Sequence, residues 1–158
     1  MRRAGKADLY DALTGELAAL LGGERDFTAN AANCVALLYD RLSDLNWAGV
    51  YVLREEELVL GPFQGKPACV RIPVGKGVCG SAARIKKAIV VEDVRRFPGH
   101  IACDPASRSE IVLPLVQAGE LIGVLDLDSP VAARFDDADR AGLEAVVALF
   151  VSRVDPPR

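Results

Sequence analysis

Three of the four cysteines, Cys69, Cys79 and Cys103, lie in turn-rich stretches, whereas Cys34 falls in an apolar helical pattern and reads as core. Cys103 is followed at a short distance by Asp104, Glu110, Asp126 and Asp128. A thiol with two candidate partner thiols, near a set of carboxylates, has the layout for thiol redox chemistry on a small molecule: the thiolate attacks, and a second thiol resolves the oxidised product. The flanks Pro98-Gly99-His100-Ile101-Ala102 and Asp104-Pro105 keep Cys103 out of a regular buried element and point to a partly exposed thiol. The competing reading is an inert half-buried cysteine. His100 could lower the pKa of the thiol. A lone loop histidine more often bonds locally, so it stands outside the catalytic set.

Asp126 and Asp128 alternate around Leu127 and therefore share one face of a strand. Carboxylates crowded on one face raise each other's pKa or hold a cation between them. Glu110 opens the neighbouring strand and can lie across from them. A solvated strand end is the plainer reading, but Ile122, Val124, Leu125 and Leu127 predict a strand buried on both faces, where unpaired carboxylates are costly. Trp47, the only tryptophan, shares strand spacing with Gly49 and Tyr51. Core packing is the default for such a pair. An aromatic wall for a methylthio group is the functional alternative.

Two other motifs lose on context. Gly75-Lys76-Gly77-Val78-Cys79-Gly80 matches the dinucleotide fingerprint, with Glu92 near the position of a ribose-binding acid, but too little chain follows for a doubly wound sheet. It reads instead as a tight turn opening a short helix, whose free amides can hold an anion such as a carboxylate. A metal site from Cys69, Cys79, His100 and Cys103 has the right ligand types, yet its separations lack the close pairs of zinc motifs. No metal and no cofactor is expected.

The elements that must position these residues follow from periodicity. Apolar spacing predicts helices over 7–21, through Leu9, Leu13, Leu17, Leu20 and Leu21, and over 28–43 from a Thr28 cap. Strands are predicted at Trp47–Leu53, Leu58–Leu60 and Cys69–Ile72, the last two separated by Gly61-Pro62 and Gly65-Lys66-Pro67. A short helix at Val78–Ile85 and a strand at Ala88–Val91 precede a long irregular excursion, 92–109, of the kind that often carries function. A hairpin, Ile111–Val116 with Glu120–Leu127, and a helix over 136–153 complete an α+β domain on a central, mostly antiparallel sheet flanked by N- and C-terminal helices. At 158 residues, 51% hydrophobic and 26% charged, the chain is expected to form one soluble domain over 1–158. The net charge of −3, with no basic patch among aromatics, argues against nucleic acid. No signal-peptide core or membrane-length apolar run is seen, so the expected location is the cytoplasm, where thiols stay reduced.

With these residues in hand, a family resemblance is visible. Asn46–Tyr51, Gly61–Cys69, Gly75–Gly80, Phe97–Asp104, Ser107–Ile111 and Gly123–Pro130 resemble the motifs of the free methionine-(R)-sulfoxide reductases, single-domain enzymes of the GAF fold. The resemblance runs from about Asn46 to Phe135. It implies that Cys103 is the catalytic cysteine, Cys69 the resolving one and Cys79 an additional or alternative one. It further implies that Glu110, Asp126 and Asp128 bind substrate and assist proton transfer, with Trp47 and Tyr51 at its methyl end. The implied partners are free methionine-R-sulfoxide and thioredoxin as reductant, and homodimerisation is left open. The alternative is a non-enzymatic GAF sensor of a small molecule or of oxidants. A sensor usually needs an attached output domain, for which this chain has no room.

Overall fold

The computed structural model describes residues 5–101 and 103–158; the basic start Met1–Ala4 and Ala102, within the Phe97–Asp104 stretch, lie outside the described residues. Helix α1 spans Lys6–Leu21 and α2 Phe27–Arg41. The buried stripe of α1 is Tyr10, Leu13, Leu17 and Leu21, at steps of three and four, so Leu9 and Leu20 of the expected stripe flank it and remain exposed. Thr28 is not the cap of α2. Asp26 is, with its carboxylate accepting from the Ala29 N–H at 2.9 Å, which places Thr28 inside the first turn.

Six strands follow: β1 Trp47–Arg54, β2 Glu57–Gly65, β3 Arg71–Pro73, β4 Ile89–Val91, β5 Ser109–Gln117 and β6 Glu120–Ser129. Helix α3, Gly77–Ile85, lies between β3 and β4, and α4, Asp137–Ser152, closes the order. The strands form one antiparallel sheet in the order β3-β2-β1-β6-β5-β4. The predicted α+β class and sheet type agree with this architecture. Ala118 and Gly119 both take positive φ in the β5–β6 turn, the geometry that matches the twist of the paired strands.

The strand limits differ from expectation most at β2 and β3. Gly61-Pro62 does not end β2. The register moves from Gly49↔Phe63 to Tyr51↔Leu60, so Val50 faces both Gly61 and Pro62 in a bulge. Proline is tolerated there because the bulge asks no ladder bond of it. Cys69 also lies outside β3. It is bonded to Cys103, and the ladder with β2 covers Arg71–Pro73, continued by one bond from the Leu60 N–H to the Val70 carbonyl at 2.9 Å.

The alternation of side chains sorts the core into two layers. Ala48, Val50, Ile111, Leu113, Leu125 and Leu127 face α1, α2 and α4. Trp47, Tyr51, Val112 and Val124 face the opposite way, toward α3 and the loops around it. Burial of roughly 2 kcal/mol per large apolar side chain holds each layer. Across the outer layer, Tyr10 donates to the buried Asp139 at 2.8 Å and occupies the space that a side chain at Gly142 would need. This joins α1 to α4. Among the described residues, no helix is long and apolar enough to cross a membrane.

Candidate active site

The site forms on the α3 side of the sheet, where three neighbouring strands point residues of different chemistry into one space. In the β1–β6 register Trp47 lies opposite Asp128 and Gly49 opposite Asp126; in the β5–β6 register Glu110 lies opposite Asp128. Three acids from β5 and β6 thus share a face with the aromatics of β1. The Trp47 ring stacks on Phe63 with centroids 5.5 Å apart and tilts against Tyr51 at 5.9 Å. Gly49 makes this possible, since a Cβ there would meet the Trp47 ring and would lie 2.7 Å from Cβ of Phe63. The polar tips of both aromatics are used: Trp47 Nε1 donates to the Lys66 carbonyl at 3.1 Å and the Tyr51 hydroxyl to the Cys69 carbonyl at 2.9 Å. The aromatic wall therefore also holds the loop that presents Cys69.

Cys69 and Cys103 are joined in a disulfide, Cα to Cα 5.7 Å, and both are half-buried. Cys79 is a free, buried thiol in the first turn of α3, with its sulfur within 4.8 Å of carboxylate oxygens of Glu110 and Asp126. Cys34 is also free, and burial in the opposite layer pushes its thiol up to about 12, as expected of an inert core cysteine. The Cys103 loop is tied down just beyond the cysteine. Asn46 Nδ2 donates to Asp104 Oδ2 and to Ser107 Oγ, each at 3.0 Å, while the Asn46 amide donates to the Asp128 carbonyl at 3.0 Å. One residue thus fixes the loop to the acidic strand.

The acids are held in an unusual state. Glu110 and Asp126 are buried, and Asp128 is partly exposed. Burial pushes Asp126 up to about 8, helped by the charge of Asp128. Burial first and the neighbouring carboxylates second hold Glu110 and Asp128 well above the usual carboxylate range. The Cys79 thiol is raised by the same two causes. Near pH 7 the cluster therefore carries protons and can donate them. Asp126 Oδ1 is buried and has no hydrogen-bond partner among the described residues, on a residue that lines the cavity. The four residues considered for zinc are not available as a set, because the disulfide removes two of the thiolates.

Trp47, Tyr51, Cys79, Cys103, Glu110, Asp126 and Asp128 all line one cavity, with Cys69 bonded at its edge. The start of α3 lines it too, through Lys76, Gly77 and Val78; Gly75 and Gly77 take positive φ, and the Gly75 N–H donates to the Gly80 carbonyl at 2.7 Å. Residue-level reasoning missed Asn46 and Ser107, and it set aside His100, which lines the cavity. The Asx turn at Asp104, whose Oδ1 accepts from the Ala106 N–H at 2.9 Å, was legible in Asp-Pro-Ala-Ser. Asn46 had no local signal, since its side-chain partners lie 58 and 61 residues away.

Residues 7–154 match the GAF domain family. The chain is 57% identical over 143 residues to the free methionine-R-sulfoxide reductase of Escherichia coli (strain K12), covering 90% of this chain and 87% of that one. The solved free methionine-R-sulfoxide reductase of Neisseria meningitidis, in complex with its substrate, superposes with a TM-score of 0.91 at 42% identity, covering 97% of this chain and 92% of that one. A Burkholderia vietnamiensis structure, provisionally called a GAF sensor protein, superposes with a TM-score of 0.92 at 60% identity, covering 96% of both chains. Family match, identity and shared fold agree: the chain is a GAF-domain protein and belongs to the free methionine-R-sulfoxide reductases.

Proposed function

We propose that the protein reduces free L-methionine-(R)-sulfoxide to methionine, with Cys103 as nucleophile, Cys69 as resolving thiol and thioredoxin as reductant. The observation that carries this reading is the Cys69–Cys103 disulfide at the edge of a cavity walled by protonated acids and an aromatic pair. Oxide is a poor leaving group, so the sulfoxide oxygen must be protonated as the Cys103 thiolate adds to the substrate sulfur. The buried carboxyls supply a neutral acid at neutral pH. Collapse of the adduct carries the hydroxyl to the Cys103 sulfur and releases the thioether. The substrate sulfur gains two electrons and Cys103 loses two.

The Cys103 sulfenic acid then condenses with the Cys69 thiol, expelling water and leaving the disulfide. Exchange with a dithiol such as thioredoxin restores both thiols. Trp47 and Tyr51 suit the methyl end of the substrate. The unpartnered Asp126 Oδ1 suits its ammonium group, and the first amides of α3 its carboxylate. A methionine sulfoxide inside a polypeptide has neither free charge and is excluded. The reducing environment that such a cycle needs is that of the cytoplasm.

The test is consumption of thioredoxin-reducing equivalents with R- and S-methionine sulfoxide as separate substrates. Turnover of the R form alone, abolished in Cys103→Ser, is expected. Full turnover by Cys103→Ser refutes the assignment, and no turnover of either form by the unaltered protein favours a sensor.

A further inference from the structure

We propose that His100 relays a proton between the Cys103 thiol and the Glu110 carboxyl during substrate reduction, a role that rests on the function proposed above. His100 is the only histidine of the chain. Its Nε2 lies 3.9 Å from Glu110 Oε1, with side chains only 18% and 7% exposed, so the pair meets largely out of water. It precedes Cys103 by three residues in the same loop, and both line the same cavity. Two turns hold the loop in this path: the His100 N–H bonds the Phe97 carbonyl at 3.2 Å and the Cys103 N–H the Ile101 carbonyl at 3.1 Å. A gap of 3.9 Å is longer than a hydrogen bond. Catalytic contacts are commonly this loose before substrate arrives, and a small rotation or one bridging water closes it.

The other groups of the cavity are engaged differently. Activating Cys103 needs a base, whereas protonating the sulfoxide oxygen needs an acid. Glu110, Asp126 and Asp128 are all raised above the usual carboxylate range, which suits them as acids. The Cys79 thiol is buried and raised above its ordinary range, which makes it no base. Lys76 is a cation. Asp104 Oδ2 accepts from Asn46 and its Oδ1 from the Ala106 N–H. His100 is left, and burial lowers its pKa below the ordinary 6.5, so it is a neutral base at pH 7.

The protons balance without solvent. The Cys103 S–H bond breaks and an N–H bond forms on His100. Glu110 gives its own proton to the sulfoxide oxygen as the thiolate adds to sulfur, and the imidazolium then returns a proton to Glu110. One proton has left Cys103 and one has reached the oxygen, which ends in the sulfenic acid. His100 finishes as it began.

The decisive experiment is single-turnover formation of methionine from free methionine-R-sulfoxide by the reduced full chain, compared in wild type, His100→Gln and His100→Ala. The glutamine keeps much of the bulk and a hydrogen bond but cannot take up and release a proton, and both variants are first checked for wild-type melting and disulfide formation. The expected result is a burst rate reduced about 100-fold in both. Half-saturation by substrate should stay within about threefold, and added imidazole should recover part of the rate in His100→Ala only. The wild-type burst rate should also fall toward acid pH, with a midpoint below the ordinary imidazole value because burial disfavours the imidazolium, and His100→Gln should lose that acid limb. A His100→Gln burst within twofold of wild type overturns the relay, as does an unchanged acid limb. A wild-type protein that forms no methionine instead overturns the function itself, so the two failures are distinct.

Discussion

Three carboxyls raised above their ordinary range inside one cavity should make the protein less stable as pH rises, and Asp126→Asn isolates the contribution of one of them. Asp126 has an ordinary pKa of 3.8 and is held at about 8 in the fold. The folded state therefore binds more protons than the unfolded chain between those values. The slope of stability with pH is negative in that window: the benefit of a neutral Asp126 is complete below pH 4 and gone above pH 8. A displacement of about four pH units at about 1.4 kcal/mol per unit sets an upper limit of about 6 kcal/mol. Water entering the cavity on ionisation lowers this, so a loss of at least about 2 kcal/mol between pH 5 and pH 8.5 is expected from this group. Asparagine has nearly the same shape and never ionises. Urea unfolding of the disulfide form, read from midpoints at constant m, is the assay. Relative to wild type, Asp126→Asn should gain stability steadily from pH 5 to pH 8.5. A difference between the two proteins that is the same at both pH values would refute the reasoning, because Asp126 would then ionise alike in the folded and unfolded states.

Cys69→Ser should still form one equivalent of methionine per chain but should lose thioredoxin-dependent turnover, while Cys79→Ser keeps recycling; unchanged steady-state rates in Cys69→Ser would assign resolution elsewhere. Gly49→Ala drives a methyl group into the space of the Trp47 ring and the Phe63 Cβ, and overpacking of this kind costs about 1–3 kcal/mol. Its expected signature is a lowered melting temperature with a raised KM for methionine sulfoxide, checked by thermal melts and initial rates.

Much of this protein is legible along the chain because it depends on local period. Alternation over β1 and β6 placed Trp47 with Tyr51, and Asp126 with Asp128, on common faces. The apolar helical setting of Cys34 marked it as core, and the glycines before Cys79 marked a turn opening a helix rather than a nucleotide loop. The motif blocks around the cysteines pointed to the family before any fold was known. These features are set by neighbours within a few residues, where sterics and hydrophobic spacing act directly.

What lay beyond the sequence depends on contacts between distant segments. The Gly61-Pro62 pair reads as a break in isolation, and only the pairing of β2 with β1 turns it into a bulge inside a continuous strand. Cys69 reads as a strand residue, yet it lies outside β3 and is bonded to Cys103, 34 residues away. Of the two thiols open as partners of Cys103, the fold bonds Cys69 and leaves Cys79 beneath the acids. The raised pKa values belong to the same class. A carboxylate carries no sign of its burial in its own flanks, and Glu110 meets Asp128 and His100 only where the strands and the loop close over one cavity. Sequence alone determined which residue types were present and which of them shared a face. Tertiary packing decided which of them touch, which lose water, and therefore which can give or take a proton.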